Sequence, residues 1–166
     1  MVTNLYIYSG LGNIIAILDS LSNGLSINSE DIVNLYKNTD IEFDQLIMVL
    51  PPQNHEHDLD VKIFNNDGST ASNCINGARC VSKFIQDESL LPFKDLKVNT
   101  KGGLWHLKAI SDKEFSASFL IDDKISKIEL TSSDESLNLD CIDLGNPHGV
   151  TFSAHEPNFE FLKIGE

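Results

Sequence analysis

The chain has 166 residues, 41% hydrophobic and 22% charged, a globular balance that excludes disorder and allows one domain or one and part of a second. Its formal charge of −13 repels phosphate backbones and excludes nucleic acid as a nonspecific partner. Three sparse cysteines, Cys74, Cys80 and Cys141, make no disulfide framework and fit a reducing cytoplasm.

From Met1 to Tyr8 there is no basic region and no long apolar run, so the expectation is a cytoplasmic chain without leader or membrane span. Leu5–Tyr8 and Ile14–Leu18 are β-branched and apolar around Ser9-Gly10-Leu11-Gly12-Asn13, which predicts two strands joined by a glycine loop. Ser29 is the expected N-cap of a short amphipathic helix carrying Ile32, Val33, Leu35 and Tyr36. Gln45–Leu50, closed by Pro51-Pro52, and the alternating Leu59–Phe64 read as strands, followed by a dense turn signal at Asn65–Ser69.

Residues 72–80, Ser-Asn-Cys-Ile-Asn-Gly-Ala-Arg-Cys, lead into a helix expected over Gly77–Gln86, whose Ala78, Val81, Phe84 and Ile85 form an apolar face. Cys74 stands one turn ahead of that helix. Unpaired N–H groups at a helix start attract negative charge, so such a position can favour a thiolate and hold a carboxylate beside it. Leu96–Asn99, Leu104–Ile110 and Phe115–Ile121 read as further strands. Ser126–Asp140 is polar, with Ser132-Ser133-Asp134-Glu135 reading as a surface loop or domain link, and Cys141–Leu144 and Gly149–Ser153 read as strands flanking Gly145-Asn146-Pro147-His148. Many short strands without a βαβ series give the class α+β.

Cys80, inside the helix, and Cys141, in an apolar strand pattern, read as packing residues. His55-Glu56-His57-Asp58 lacks metal-ligand spacing and reads as a solvated loop. Gly10-Leu11-Gly12 lacks a third glycine and a following helix, and no phosphate loop or nucleophile elbow is present. Asn13, Asn65, Asn66, Asn76 and Asn146, with Asp44-Gln45, place neutral donors and acceptors in loops, a set suited to a zwitterionic small molecule.

Five segments in order give the chain a family resemblance: Gly10-Leu11-Gly12-Asn13, Phe43-Asp44-Gln45-Leu46, Phe64–Ser69, Cys74–Cys80 and Gly145–His148. The sequence resembles diaminopimelate epimerase, of the pyridoxal-independent amino-acid racemase and epimerase fold. The resemblance implies two similar halves, each of short strands wrapped around a central helix. It assigns residues 1–118 to the first domain and 119–166 to the beginning of a second, truncated one. It implies interconversion of LL- and meso-diaminopimelate, in lysine and peptidoglycan precursor synthesis, by two opposed thiols without metal or cofactor, in a homodimer.

By the same resemblance Cys74 is one catalytic thiol, and Asn13, Gln45, Asn65 and Asn146 line the substrate pocket. Backbone N–H groups of Ile75 and Asn76 hold the α-carboxylate, and His148 shapes the site. Two departures stand out. The family's second cysteine lies in a later glycine-rich helix start that these residues do not contain. Ile75 replaces a family glycine, which predicts a crowded carboxylate cradle or a backbone angle that a β-branched residue resists. The alternatives are a racemase of the same fold acting on proline, hydroxyproline or histidine, and a degenerate, non-catalytic binding or interaction module.

Overall fold

In a computed structural model the described residues are 5–22, 24–38, 40–92, 94–120, 124–132, 135–144 and 147–152. The chain divides into two compact units, Met1–Leu120 and Ile121–Glu166. Among the described residues no helix is long and apolar enough to cross a membrane.

The first unit contains β1 (Leu5–Gly10), β2 (Asn13–Asp19), α1 (Ser29–Asn38), β3 (Gln45–Leu50), β4 (Leu59–Asn65), β5 (Thr70–Ala71), α2 (Ile75–Asp87), β6 (Asp95–Thr100), β7 (Gly103–Ala109) and β8 (Phe115–Phe119). Its sheet runs β1-β2-β3-β4-β6-β7-β8, with β5 beside β4. The β2–β3 and β4–β6 neighbours are parallel, and the other pairs along the path are antiparallel. Parallel neighbours need a crossover, and α1 and α2 lie in those two connections. The result is α+β, a curled and partly open sheet with two helices, as the strand-rich pattern predicts.

Side-chain alternation builds the two cores. Ile15, Ile17, Ile47 and Val49 turn one way, onto Ala78, Val81, Phe84 and Ile85 of α2. Ala16, Leu18, Leu46 and Met48 turn the other way and pack with Ile32 of α1 and Phe43. The parallel strands β2 and β3 are thus covered on both faces, which is why they read as unbroken apolar runs.

Helix boundaries differ from the sequence expectation in two places. The N-cap of α1 is Asn28, not Ser29: Asn28 Oδ1 accepts from the N–H groups of Glu30 at 2.8 Å and Asp31 at 3.0 Å, while Asp31 Oδ2 accepts from Asn28 N–H at 2.8 Å. This reciprocal box satisfies the exposed first turn one residue earlier than a serine cap would. Helix α2 begins at Ile75, two residues before the expected start, so Cys74 is its N-cap.

The second unit holds β9 (Ser126–Ser132), β10 (Glu135–Asp143) and β11 (Pro147–Val150), ordered β11-β10-β9 and all antiparallel. The polar segment 126–140, in which the sequence named a loop only at 132–135, is mostly strand, with Ser132 ending β9 and Glu135 beginning β10. Its alternation of Ile128, Leu130, Leu137 and Leu139 with polar residues carries a period of two. A polar composition hid that period.

Candidate active site

One end of the first unit's sheet collects the polar residues. Gly10 pairs with Asn13, Ile15 with Gln45, and Gln45 with Asn65, so the end of β1, the starts of β2 and β3 and the end of β4 lie at the same edge. Helix α2 starts against that edge. A Cβ added to Gly10 would stand 3.0 Å from the carbonyl oxygen of Asn76 and 3.1 Å from Cys80 Sγ.

Cys74 is half-buried and extended, with φ −155° and ψ 99°, and its Sγ accepts from Gly77 N–H at 3.1 Å. A sulfur here replaces the oxygen of the usual Ser, Thr, Asp or Asn cap. Burial pushes the thiol above its ordinary value, and the N–H groups of Gly77 and Asn76, with the nearby Arg79 charge, pull the other way. Burial wins, because one weak cap and a shared guanidinium do not restore full hydration. Gly77 leaves the sulfur its place: a Cβ there would meet Ile47 Cδ1 at 2.4 Å and Cys74 Sγ at 3.0 Å.

The amides form two directional chains. Arg79 Nη2 donates to Asn76 Oδ1 at 2.5 Å, and Asn76 Nδ2 donates to Asn13 Oδ1 at 2.8 Å. Arginine has no acceptor, so Asn76 must offer its oxygen to Arg79 and its NH2 to Asn13. Gln45 Nε2 donates to Asn65 Oδ1 at 2.9 Å, and Asn65 Nδ2 donates to Ser69 Oγ at 2.9 Å. Asp44 fastens the same corner, accepting from Ile14 N–H at 2.7 Å.

Asn13, Gln45, Asn65, Cys74, Ile75 and Asn76 are thus all found at one end of the first unit. Ile75 is the first helical residue and is not among the positive-φ residues, so the expected backbone obstacle is absent, and its side chain is 39% exposed. His148 is exposed in β11 of the second unit, opposite Ile142, and Asn146 lies outside the described residues.

Three contributors escaped the sequence reading. Asn73 Oδ1 accepts from Cys74 N–H at 2.9 Å and from Trp105 Nε1 at 2.6 Å, both partners of the thiol's own strap. Arg79 orients the Asn76 amide. The only available signals were a polar residue before the cysteine and a lone tryptophan, neither of which names its partner. A cavity of about 650 Å³ opens beside the site, bounded in part by Tyr8, Gly10, Arg79, Cys80, Lys83 and Phe115, and none of Asn13, Gln45, Asn65 or Cys74 lines it.

Cys80 is buried in the core, as expected, and burial pushes its thiol up to about 11 with Cys74 adding repulsion. Cys141 lies in β10. His57 departs from the solvated-loop expectation: it is 9% exposed and pairs with buried Asp60 at 2.9 Å. Asp60, reached from three loops and strands, pulls it inward. Among the described residues no cluster of His, Cys, Asp and Glu could hold a metal ion.

A family model for diaminopimelate epimerase matches residues 5–119. Over 155 residues the chain is 34% identical to diaminopimelate epimerase of Pseudomonas aeruginosa PAO1, covering 85% of this chain and 56% of that protein. It is 28% identical over 169 residues to the enzyme of Teredinibacter turnerae, covering 94% and 61%. The chain therefore spans a little over half the length of these curated relatives. Among solved structures, a hydroxyproline epimerase from Agrobacterium vitis superposes with TM-score 0.60 at 13% identity over 84% of this chain and 48% of that one. A Clostridium difficile protein described as a putative phenazine biosynthesis PhzC/PhzF protein gives 0.58 at 12% identity over 98% and 64%. These two likenesses concern the fold alone. With the family model covering most of the chain and the matched segments forming the thiol-bearing end of the sheet, the chain belongs to the diaminopimelate epimerase family.

Proposed function

We propose that these residues supply the first thiol and the amide wall of a diaminopimelate epimerase, interconverting the LL and meso forms by proton transfer at the α-carbon without a cofactor. The observation that carries this reading is Cys74 as the N-cap of α2, beside the Asn13–Asn76 and Gln45–Asn65 amide pairs. An amino-acid α-proton is a very weak acid, so removal by Cys74 needs charge stabilisation at the carboxylate as the carbanion forms. Helix N–H groups at Ile75 and Asn76 are proposed for that role, and preorganised donors are the strongest form of such help. A thiol suits both directions, because its pKa can be set near the working pH.

Proton return from the opposite face needs a second thiol. Cys80 is buried behind Gly10 in the core, which argues against it. The second thiol is proposed to come from sequence outside these 166 residues or from another polypeptide, with residues from about 119 beginning the second epimerase-like domain. Asn146 and His148 are proposed to belong to the pocket, as the family resemblance implies. The cytoplasmic location and homodimer are carried by the same reading.

The test is α-deuterium incorporation and stereochemistry when the purified chain meets LL-diaminopimelate in D2O. The chain alone should bind and protect Cys74 from alkylation but should not invert the α-carbon. Full epimerisation by the chain alone would overturn the need for a second thiol, and α-deuterium incorporation that is the same in Cys74→Ser as in the unaltered chain would overturn the role of Cys74. The raised thiol and the exposed Ile75 favour a second reading, a non-catalytic binding module. Cys74 alkylating at an ordinary rate, unprotected by diaminopimelate, proline or hydroxyproline, would support that one.

A further inference from the structure

Trp105 is the only tryptophan in the chain, it is 1% exposed, and it sits in β7 opposite Val98 of β6 and Phe119 of β8. Its Nε1 donates at 2.6 Å to Asn73 Oδ1, an atom that also accepts from Cys74 N–H at 2.9 Å. Asn73 is itself 8% exposed. One buried oxygen therefore joins the sheet to the backbone of the residue that caps α2.

We propose that Trp105 is a positioning residue for the Cys74 thiol: through Asn73 it holds Cys74 in the extended conformation that aims Sγ at the N–H groups of the first turn of α2. The geometry argues for a device rather than simple packing. Asn73 and Cys74 are adjacent, so the amide oxygen can reach the Cys74 N–H only from a restricted set of side-chain angles. The indole, 32 residues away in sequence, selects one of them. With the backbone N–H held by Asn73 and the Cys74 carbonyl accepting from Ala78 N–H at 2.9 Å, both ends of Cys74 are fixed and Sγ is left facing Gly77 N–H. A buried hydrogen bond is costly to leave half-made, so loss of the indole donor frees Asn73 to turn toward another partner. The strap then loosens while the packing of Cys74 against the core keeps the sulfur covered.

The direction of the effect follows. Hydrogen bonds from N–H groups favour the thiolate and burial disfavours it. Removing the strap weakens the first without changing the second. Trp105→Phe keeps an aromatic ring and deletes only the donor, so the pH profile of Cys74 alkylation should move up by about half a unit to one unit. Below the midpoint that is roughly a three- to tenfold slower reaction at fixed pH.

The proposal rests on Cys74 being the functional thiol, but the experiment needs no substrate. Alkylation by iodoacetamide is followed residue by residue with mass spectrometry, as a function of pH, in the full chain and in Trp105→Phe, Asn73→Ala and the double variant. Both single variants should shift the profile upward, and the double variant should shift no further than Asn73→Ala alone, because the two residues act through one oxygen. An unmoved or lowered profile in folded Trp105→Phe, or additive shifts, would overturn the proposal. Should the variants not fold, hydrogen exchange in the unaltered chain still decides: the Trp105 Nε1–H and the Cys74 N–H share one acceptor and should exchange with the same opening free energy. Unequal protection of the two overturns the coupling. Failure of diaminopimelate to protect Cys74 would count against the proposed function alone.

Discussion

Gln45 and Asn65 stand opposite each other across the β3–β4 ladder, and their side chains are joined, Gln45 Nε2 donating to Asn65 Oδ1 at 2.9 Å. The remaining half of the Asn65 amide is committed to Ser69 Oγ, so the asparagine cannot simply turn over. Gln45→Glu replaces the donor with an acceptor of the same shape. It should cost about 1 kcal/mol in urea unfolding, as for a partly buried hydrogen bond, and should weaken diaminopimelate protection of Cys74. Wild-type protection in that variant would remove Gln45 from the pocket.

Gly77→Ala tests the space around the thiol. The new methyl would fall 2.4 Å from fully buried Ile47 Cδ1 and 3.0 Å from Cys74 Sγ. Helix propensity favours alanine by roughly 1 kcal/mol, but overpacking costs about 1–3 kcal/mol and should prevail. We expect a lower Tm together with an altered Cys74 alkylation rate. A stabilised variant with unchanged thiol chemistry would show that the helix start is roomier than described.

Asp60 sets the acid limit. Burial works to raise its carboxyl, but hydrogen bonds from Asn99 Nδ2 at 2.6 Å, His57 at 2.9 Å and Gln53 N–H at 2.7 Å outweigh it and hold the group below the usual carboxylate value. A carboxylate depressed in the folded state adds stability that is present above the unfolded value and lost as pH falls through the folded one. Unfolding free energy measured below about pH 4 should therefore drop, and Asp60→Asn should flatten that drop while costing about 1–3 kcal/mol near neutrality.

Cys80 sets a limit at the alkaline end. Its thiol moves from an ordinary 9.0 to about 11, chiefly by burial. In the unfolded chain the proton leaves first, so stability is whole below about pH 9 and declines as pH rises through the folded value. Cys80→Ala should reduce that slope. Equal slopes in both proteins would mean that other groups govern alkaline unfolding.

The strands of the first unit were legible because β2, β3 and β4 announce themselves as apolar or alternating runs, and the amide-rich loops marked the ends where they meet. Cys74 could be singled out from sequence because it precedes an amphipathic helix, and Asn13, Gln45, Asn65 and Asn76 because they stand in the ordered segments that carry the family resemblance. What pairs with what was not legible. Nothing in a one-dimensional pattern tells Trp105 to seek Asn73, or Asp60 to draw His57 out of solvent, since both depend on which strands become neighbours. The hairpin of β9 and β10 was hidden differently, by polar residues on the strand positions between its leucines. The expected cap at Ser29 failed because Asn28 also satisfies the cap rule, and only the backbone chooses between them.

Helix α2 is the crossover between parallel strands β4 and β6, and that placement fixes when the thiol's surroundings come into being. The contact that closes the crossover, Leu59 with Val98 and Asp60 with Asn99, joins residues 39 apart. Such a loop must be closed before its contacts repay the lost entropy, and non-local pairing of this kind forms late. Until it forms, Trp105 has no route to Asn73 and Cys74 is an ordinary thiol of an open chain. The refolding protein should thus pass from a freely alkylated cysteine to a covered one in its last kinetic phase, so the thiol-bearing end of the molecule also serves as the clock of its own assembly.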